Sequence, residues 1–309
     1  MRYNQSIQVK APATVANMVC GFDVLGFAVR EPYDLMTLRL REEPGILIRH
    51  KDSFGLPEAA TENVAGVALM ALMETINTPV GFELSIEKQI KPGSGLGSSA
   101  ASAAGAVVAA NLLLGDIFSK EDLVRFAMHG EKLASGVKHA DNIAPCIYGG
   151  TTLIRSAFPL DIITLPSPEL YVSIVHPQIE VKTADARSIL RQQILLKDAI
   201  RQWGNIAGLV AGILQNDHGL IERSMEDVLI EPARSILIPG FDKIKQASKA
   251  AGSLGGGISG SGPSVFMLSD TAEKAGAVAQ AMQDIYQAIG LEHYTYVTTI
   301  NASGVEVLA

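Results

Sequence analysis

Apolar and polar residues alternate along several short stretches of the chain. A two-residue period predicts strands, because successive side chains of a strand point to opposite faces of the sheet. The predicted strands cover residues 6–10, 35–41, 46–50, 81–90, 151–155, 171–175, 264–268, 294–300 and 304–308. Pro12 is expected to end the first strand, and the turn-like residues 42–45 are expected to join the second and third as a pair.

Apolar residues recur at intervals of three and four between these strands, which predicts helices. The predicted helices cover residues 64–76, 98–114, 195–214, 241–251 and 272–289, and a further helix begins at Ser119. Thr61 is expected to cap the first helix, and Asn63 in its first turn is expected to belong to that cap. Ser119 and Asp122 have the spacing of a capping box, which predicts a well-defined start for the third helix.

A chain of 309 residues is long enough for two domains of ordinary size. Pro159, Pro166 and Pro168 mark the predicted boundary, which divides the chain into residues 1–168 and 169–309. The last helix and the two closing strands are expected to complete an α+β second domain. The segment 195–214, around Trp203, is expected to be core or a subunit interface.

Composition narrows the class of protein. The hydrophobic fraction is 48%, with mean hydropathy +0.23, yet no run of about 18 apolar residues indicates a membrane span. The first residues lack the apolar stretch of a signal peptide, so a cytoplasmic location is expected. A net charge of −7 gives no basic footprint for nucleic acid. Cys20 and Cys146 have no metal-site spacing and are expected to be reduced structural thiols.

A glycine-rich loop lies between a predicted strand and the predicted helix that starts at Ser98. Glycines let backbone N–H groups approach a ligand closely, and a helix N-terminus favours negative charge, so the loop predicts an anion site. Ser98 and Ser99 could cap the helix or bind a metal ion. The loop lacks the lysine of a P-loop and the third glycine of a dinucleotide motif. An ordinary glycine-rich turn before a buried helix is the alternative.

Other polar residues have ordinary explanations when each is considered alone. Asn17 and Asp23 suit turns, a lone glutamate such as Glu131 on a helix is usually solvated, and His139 alone suits a structural role. Another glycine-rich stretch, residues 255–263, satisfies a dinucleotide pattern only by accident. A dinucleotide loop follows a strand and opens a helix, whereas here a predicted helix precedes and a predicted strand follows.

Taken together, three stretches resemble the three motifs of the GHMP kinases, and they occur in the family's order. The stretches are the run Gly-Leu-Gly-Ser-Ser-Ala after Pro92, the segment Ala-Pro-Ala-Thr-Val-Ala-Asn at residues 11–17, and the glycine-rich residues 255–263. The resemblance implies an α+β GHMP kinase fold. It has a ribosomal-S5-domain-2-like N-terminal domain that binds ATP and a ferredoxin-like C-terminal domain, with the active site between them.

The same resemblance assigns nucleotide and metal ligands. It implies ATP and Mg²⁺, with Ser99 and Glu131 as the metal ligands. The implied ATP-binding residues are Pro92, Gly93, Ser94, Gly95, Leu96, Gly97, Ser98, Ser99, Ala100, Ala101, Ser102, Asn63, Lys88, Gly257 and Ser259.

Within the family the chain resembles the homoserine kinases most, through the run His-Ala-Asp-Asn at residues 139–142 and two well-separated arginines. This implies transfer of the ATP γ-phosphoryl group to L-homoserine in threonine biosynthesis. The implied substrate-binding residues are Asn17, Asp23, His139, Asp141, Thr183, Arg187 and Arg234. Asn142 and His139 are the candidate catalytic residues, and His139 could act as a general base or only hold the substrate.

Two alternatives stay open at this point. One is another GHMP kinase acting on a different small alcohol such as mevalonate, which would not need two arginines and two acids around one substrate. The other is a catalytically silent GHMP-fold sensor, which an intact Ser99 and Glu131 argue against. A homodimer is the expected assembly, with no nucleic acid or membrane partner.

Overall fold

The computed structural model describes residues 5–76 and 79–308. Eleven strands are described within these ranges: β1 Ser6–Ala16, β2 Leu25–Arg41, β3 Gly45–His50, β4 Gly81–Glu87, β5 Thr151–Ala157, β6 Leu160–Leu165, β7 Tyr171–Pro177, β8 Gly255–Ile258, β9 Val265–Ser269, β10 His293–Thr299 and β11 Glu306–Leu308. The helices of the described part are α1 Val64–Met73, α2 Ser98–Leu113, α3 Lys120–Ser135, α4 Ile143–Tyr148, α5 Thr183–Ser188, α6 Leu196–Gln215, α7 His218–Ser224, α8 Glu231–Arg234, α9 Phe241–Ala250 and α10 Ala272–Ala288. A 3₁₀ turn, Ser235–Leu237, follows α8.

The strands form two sheets. The seven-stranded sheet has the order β11-β1-β2-β4-β3, with β5 paired to β2 and β6 paired to β5. The four-stranded sheet has the order β10-β7-β9-β8. The prediction that β2 and β3 form a pair is wrong, because β4 lies between them and pairs antiparallel with β2 and parallel with β3.

The first strand is longer than predicted. Pro12 does not end it, and β1 continues to Ala16 with a register shift between Pro12 and Thr14. Proline is tolerated within a sheet at such an irregularity because it has no N–H to contribute to the ladder. The longer strand carries the chain to Asn17, so the first motif, residues 11–17, ends where the ladder ends.

Helix α2 lies in the core, and most of its small side chains are buried. Gly105 of α2 lies so close to Ala11 of β1 and Met36 of β2 that a side chain there would clash. Tight contact between helix and sheet fixes the N-terminus of α2, and with it the glycine loop, against the strands. Burial of this apolar interface stabilises the loop's position.

The helix starts are predicted with mixed success. The Ser119 capping box of α3 is confirmed, with Ser119 Oγ accepting from the Asp122 amide at 3.2 Å and the Asp122 carboxylate accepting from the Ser119 amide. Thr61 is not the cap of α1. Asn63 caps it instead, with Oδ1 accepting from the Ala65 amide at 2.9 Å.

The closing strand is also misassigned by the sequence. Residues 304–308 were expected to complete the second domain, but β11 joins the seven-stranded sheet and pairs with β1, Val9 opposite Val307. Strand β10, by contrast, lies in the four-stranded sheet, where it pairs with β7. The division of the chain at residue 168 stays a prediction. None of the helices in the described part of the chain combines the length and apolar character needed to span a membrane.

Candidate active site

The glycine loop presents the N-terminus of α2 to solvent without a side-chain cap. Gly97 is the N-cap residue, in the left-handed conformation at φ 68°, and it has no side-chain hydrogen bond to the first turn. A side chain at Gly97 would collide with Thr14 Oγ1, 2.0 Å from the added Cβ. The first N–H groups of this 16-residue helix therefore remain available for an anion.

The third motif supports the loop from the other side. Ser259 Oγ donates to the Gly95 carbonyl oxygen at 2.7 Å, and the Ser264 amide donates to the Ser94 carbonyl at 3.2 Å. A Cβ at Gly95 would lie 2.6 Å from the carbonyl oxygens of Ser259 and Gly262, and its φ is 79°. Space and backbone conformation both demand glycine here. Gly257 lies further away in β8, against Glu231 and Val19.

Several predicted ATP-binding side chains face away from the loop's open side. Ser98 Oγ donates to the Ile90 carbonyl at 2.8 Å, so this hydroxyl is committed within the protein. Five other side chains of the stretch are buried: Ser94, Leu96, Ala100, Ala101 and Ser102. The loop's contribution to anion binding therefore comes from its backbone N–H groups and from Ser99.

Lys88 and Asn63 are placed in structural positions. The ammonium group of Lys88 is buried, paired with the Asp34 carboxylate, and donates to the Ser98 carbonyl and to Ser102 Oγ. Asn63 donates to the Pro57 carbonyl at 2.6 Å and contacts His50 Nε2 while it caps α1. Both side chains use their hydrogen-bonding capacity within the protein, and Lys88 contacts the loop segment from its buried side.

Ser99 and Glu131 lie together, as the sequence predicts. Ser99 Oγ donates to Glu131 Oε2 at 2.9 Å, and this pair stands beside the N-terminus of α2. Burial raises the pKa of the Glu131 carboxyl, whereas the bonds from Ser99 and Ser135 lower it. A buried carboxylate without a basic partner is costly, and a bound cation would remove that cost.

The donor set suits Mg²⁺ in a particular way. Within residues 5–76 and 79–308, no three His, Cys, Asp or Glu side chains cluster as a complete metal site. Mg²⁺ is commonly held by one or two carboxylates together with substrate phosphates and water. One carboxylate and one hydroxyl beside an anion-binding helix terminus fit that pattern.

Asn142 is held at the edge of the loop by a residue that the sequence analysis missed. Thr14 Oγ1 donates to Asn142 Oδ1 at 2.8 Å, and Asn142 Oδ1 lies 3.0 Å from the position of a Cβ on Gly97. Asn142 precedes α4 but its side chain does not cap that helix. The bond from Thr14 fixes the orientation of the Asn142 amide, so that its oxygen faces Thr14 and its NH₂ group points away from Thr14. The position of Thr14 within the first motif, residues 11–17, could have marked it as a site residue.

An ion pair joins the two halves of the chain near this loop. Arg187 Nη2 donates to both carboxylate oxygens of Asp23, at 2.8 and 3.0 Å. His139 Nδ1 lies 3.8 Å from the same carboxylate. The sequence predicts all three as substrate-binding residues, and the fold brings them together from distant segments. They form one charged patch of both signs.

The segment that carries Asn17 and Asp23 has a strained backbone. Asn17, Met18, Val19 and Asp23 all have positive φ, at 74°, 39°, 65° and 61°. Such conformations cost about 1–3 kcal/mol each for residues other than glycine and occur mainly at functional sites. The strain is offset by specific bonds, since Asn17 Oδ1 accepts from the Asp23 amide at 3.1 Å and its Nδ2 donates to the Gly260 carbonyl at 2.8 Å.

Arg234 approaches the same region from α8. Its Nε donates to the Ala186 carbonyl at 2.9 Å and its Nη1 donates to the Gly260 carbonyl at 3.1 Å. Burial, together with the nearby Arg187 cation, lowers the pKa of Arg234 to about 10, which still leaves it charged at neutral pH. Thr183 stands at the start of α5, with its hydroxyl 3.4 Å from Ser261 Oγ, a residue that the sequence analysis did not single out.

Asp141 and His139 have shifted pKa values. Burial, with the Asp23 and Glu131 carboxylates nearby, raises the pKa of Asp141 to about 7. Burial lowers the pKa of His139, against the opposing effect of Asp23. His139 Nε2 is buried and has no hydrogen-bond partner in the described structure. At neutral pH the site thus holds a neutral imidazole and a carboxyl group poised to ionise when a cation arrives.

Comparison with known proteins places this geometry in a family. The model of the GHMP kinase N-terminal domain matches residues 63–150, and that of the GHMP kinase C-terminal domain matches residues 209–288. Together they cover more than half of the chain.

The chain belongs to the GHMP kinase family.

Its relatives within the GHMP kinases are similar over almost their full length. A curated homoserine kinase of Chloroherpeton thalassium is 45% identical over 312 residues, covering 96% of this chain and 98% of the relative. A crystal structure of homoserine kinase from Cytophaga hutchinsonii is 50% identical with TM-score 0.95, covering 100% and 99% of the two chains. The structure of L. major mevalonate kinase, at 16% identity and TM-score 0.72 with 98% of each chain covered, shares the fold.

The two GHMP kinase models cover only part of the site. Residues 63–150 include the glycine loop, Glu131 and Asn142, and residues 209–288 include Arg234 and the third motif. Asn17, Asp23 and Arg187 lie outside both matches. The two family models therefore cover the glycine loop and its surroundings. The charged patch around Asp23 lies largely in the remainder.

Proposed function

We propose that this chain transfers the γ-phosphoryl group of ATP to the hydroxyl of L-homoserine, forming O-phospho-L-homoserine in threonine biosynthesis. The observation that carries the proposal is the Asp23–Arg187 ion pair, at 2.8 Å, near Asp141, whose neighbour Asn142 lies against Gly97 at the N-terminus of α2. An amino acid is a zwitterion and can take both ends of this pair at once. The names of the relatives at 45% and 50% identity support the same substrate.

The charges around the pair suit a zwitterion at both ends. Asp23 and Asp141 supply carboxyl groups to pair with an ammonium group. The raised pKa of Asp141 would fall again once that cation lies beside it. Arg187 and Arg234 supply guanidinium cations to pair with a carboxylate, which an arginine fork binds with directional hydrogen bonds. Asn17, Thr183 and His139 supply neutral polar groups around them. When the substrate binds, the internal Asp23–Arg187 ion pair is replaced by two others: its ammonium group pairs with Asp23 and its carboxylate pairs with Arg187.

ATP binds with its phosphates at residues 93–99 in this proposal. The backbone N–H groups at the start of α2 and the positive end of its dipole favour the phosphate charge. The third motif takes part indirectly, because Ser259 holds the Gly95 carbonyl and so fixes the loop. The buried Lys88–Asp34 pair anchors the segment from beneath, since Lys88 also binds the Ser98 carbonyl.

Mg²⁺ would be held by Ser99 and Glu131 together with the phosphates of ATP. When bound, Mg²⁺ offsets the negative charge that develops during phosphoryl transfer. The carboxylate of Glu131 must be ionised for this, and its raised pKa makes cation binding compete with a proton as pH falls. Ser99 orients that carboxylate by donating its hydroxyl at 2.9 Å.

Positioning of the substrate hydroxyl is the main contribution of the remaining residues. Asn142 cannot act as a base in its amide form, and its Oδ1 already accepts from Thr14. The loose transition state of phosphoryl transfer requires little early deprotonation of the alcohol, so orientation and charge can suffice. In this proposal Asn142 and His139 hold the substrate in line with the phosphate, and no side chain serves as an obligatory base.

The test is an ADP-release assay with purified protein, Mg²⁺ and a panel of alcohols. We expect turnover with L-homoserine and at least about 100-fold lower kcat/KM with mevalonate, which lacks an ammonium group to pair with Asp23. The variant Asp23→Asn keeps the shape but loses the charge, and should lose homoserine turnover selectively. Equal turnover of mevalonate would favour the other GHMP kinases. Ligand binding with no ADP release from any alcohol would favour a sensor.

The proposed assembly is a homodimer through one exposed face of α6. Leu196, Ile200, Trp203 and Leu214 recur on this helix and are 67%, 56%, 60% and 58% exposed. An apolar stripe of this size on a monomer is typical of an interaction surface. Light scattering should show a dimer that Trp203→Glu converts to monomer, whereas Ile117→Glu, at an equally exposed position elsewhere, should leave it unchanged. We place the reaction in the cytoplasm, where amino-acid synthesis consumes ATP.

A further inference from the structure

Phe22 contacts both arginines of the site, although no motif or family resemblance assigned it a role. The centroid of its ring lies 4.9 Å from Cζ of Arg234 and 5.3 Å from Cζ of Arg187. The ring is half-buried, and it belongs to the strained segment between Asn17 and Leu25. A cation within about 6 Å of a ring centroid is attracted by the negative face of the ring. One aromatic side chain therefore contacts both guanidinium groups.

The two arginines need such a shared contact because they repel each other. They come from α5 and α8, and the Arg187 cation is one of the causes that lower the pKa of Arg234. Arg187 is otherwise tied to Asp23, and Arg234 to two backbone carbonyls. Among the described ion pairs none joins Arg234 to a carboxylate. Phe22 is the contact that the two groups have in common.

We infer that Phe22 is a positioning residue that holds the Arg187 and Arg234 guanidinium groups side by side for the carboxylate of the substrate. This inference rests on the proposed function in so far as the carboxylate belongs to an amino acid. Phe22 adds no hydrogen bond to the substrate. It lowers the cost of keeping two cations close together before the anion arrives, which is pre-organisation of the carboxylate site.

Three variants separate the ring's electrostatics from its volume. Phe22→Leu keeps an apolar side chain of similar bulk but removes the π face, whereas Phe22→Tyr keeps the face. Tyr33→Leu is the matched control, because Tyr33 is also half-buried with a cation, Lys10 Nζ, 4.3 Å from its ring centroid, on strand β2. Thermal unfolding of each variant shows whether it is folded before kinetics are compared.

Phe22→Leu should raise the KM for homoserine by about 5- to 30-fold through the loss of two cation–π contacts, while kcat and the KM for ATP change by less than about threefold. Phe22→Tyr should restore the homoserine KM to within about threefold of the wild type, and Tyr33→Leu should leave it unchanged. A role in packing alone predicts equal effects of leucine and tyrosine, or parallel losses for ATP. Either result would overturn the inference.

Direct binding makes the outcome independent of catalysis. Calorimetric titration of wild type and Phe22→Leu with L-homoserine, L-threonine and L-serine measures the amino-acid affinity without turnover. Weaker binding of these amino acids to Phe22→Leu supports the positioning role even if the wild type fails to phosphorylate homoserine, a failure that contradicts the proposed function alone. Equal affinities in the two proteins, or no amino-acid binding to the wild type, contradict the positioning role.

Discussion

Replacing each of the two arginines by alanine should separate a ligand contact from a structural one. Arg187 is paired with Asp23 at a partly exposed position, 36% and 30% for the two side chains. Exposed ion pairs contribute about 0–1 kcal/mol to stability, so Arg187→Ala should change the free energy of unfolding by no more than that. Arg234 is only 4% exposed and satisfies the carbonyls of Ala186 and Gly260. Its removal takes the donor from the Ala186 carbonyl, at about 1–3 kcal/mol, whereas the Gly260 carbonyl keeps the bond from Asn17 Nδ2.

The effect on the substrate should be alike in the two variants. A charge-assisted hydrogen bond to the carboxylate is worth about 1.5–3 kcal/mol, so the KM for homoserine should rise about 10- to 150-fold in each. The KM for ATP should stay within about threefold, because the phosphates bind at the loop rather than at the arginines. Only Arg234→Ala should also lower the melting temperature clearly.

The assay is ADP release with each substrate varied at saturating concentrations of the other, together with thermal unfolding of each variant. Lysine at position 187 is an informative control, since it keeps the charge but lacks the planar fork, and should recover only part of the affinity. An equal loss of apparent affinity for ATP in Arg187→Ala would show that the residue acts outside the amino-acid pocket. A large loss of stability in Arg187→Ala would refute the view that its pair with Asp23 is dispensable to the fold.

Four further predictions concern the metal ligand Glu131, the protonation of Asp141, inhibition by L-threonine and the role of His139. Glu131→Gln should shift the Mg²⁺ dependence to higher concentration and lower kcat, and unchanged Mg²⁺ dependence at full activity would remove Glu131 from the metal site. Because the pKa of Asp141 is raised to about 7, the acid is neutral below that pH, and the KM for homoserine should rise as pH falls through 7. Asp141→Asn should abolish that dependence, whereas a limb retained in this variant would point to another group. L-threonine should compete with homoserine because it offers the same ammonium and carboxylate groups, and purely noncompetitive inhibition would place its site elsewhere. His139→Asn should raise the homoserine KM and lower kcat by less than about 100-fold, the lower limit for a general base. Loss of nearly all turnover, together with loss of an acid limb in the kcat profile near the pKa of histidine, would make His139 the base.

Much of the local structure follows from short-range patterns. The α2 and α6 helices begin and end within two residues of their predicted bounds, and the Ser119 capping box forms as predicted. These features depend on residues close together in the chain, where side-chain periodicity and capping chemistry decide the conformation. Thr61, which does not cap α1, and Pro12 are exceptions. A proline normally interrupts a ladder, and only the register shift with β2 lets β1 continue through it.

The site residues divide in the same way. Ser99 and Glu131 could be paired in advance, because the family resemblance supplied the link between two successive helices. The internal bonds of Lys88 and Asn63 could not be foreseen. A lysine before a phosphate loop suits ATP equally well until the fold shows that Asp34, 54 residues away, holds it in the core. Phe22 directly precedes Asp23, yet no short-range pattern indicates its role, because that role depends on two arginines that only the fold brings to its ring.

The sequence by itself determined the chemistry available to this protein. The glycine loop opens onto a helix, and the acids and arginines occur in the order that resembles a kinase for a small zwitterion. The tertiary structure alone decided which of these groups meet, because Asp23 and Arg187 are 164 residues apart and contact each other only through the joint packing of the two sheets. It also decided where β11 pairs. Contacts of this kind depend on the packing of the whole chain, and no local pattern of residues specifies them.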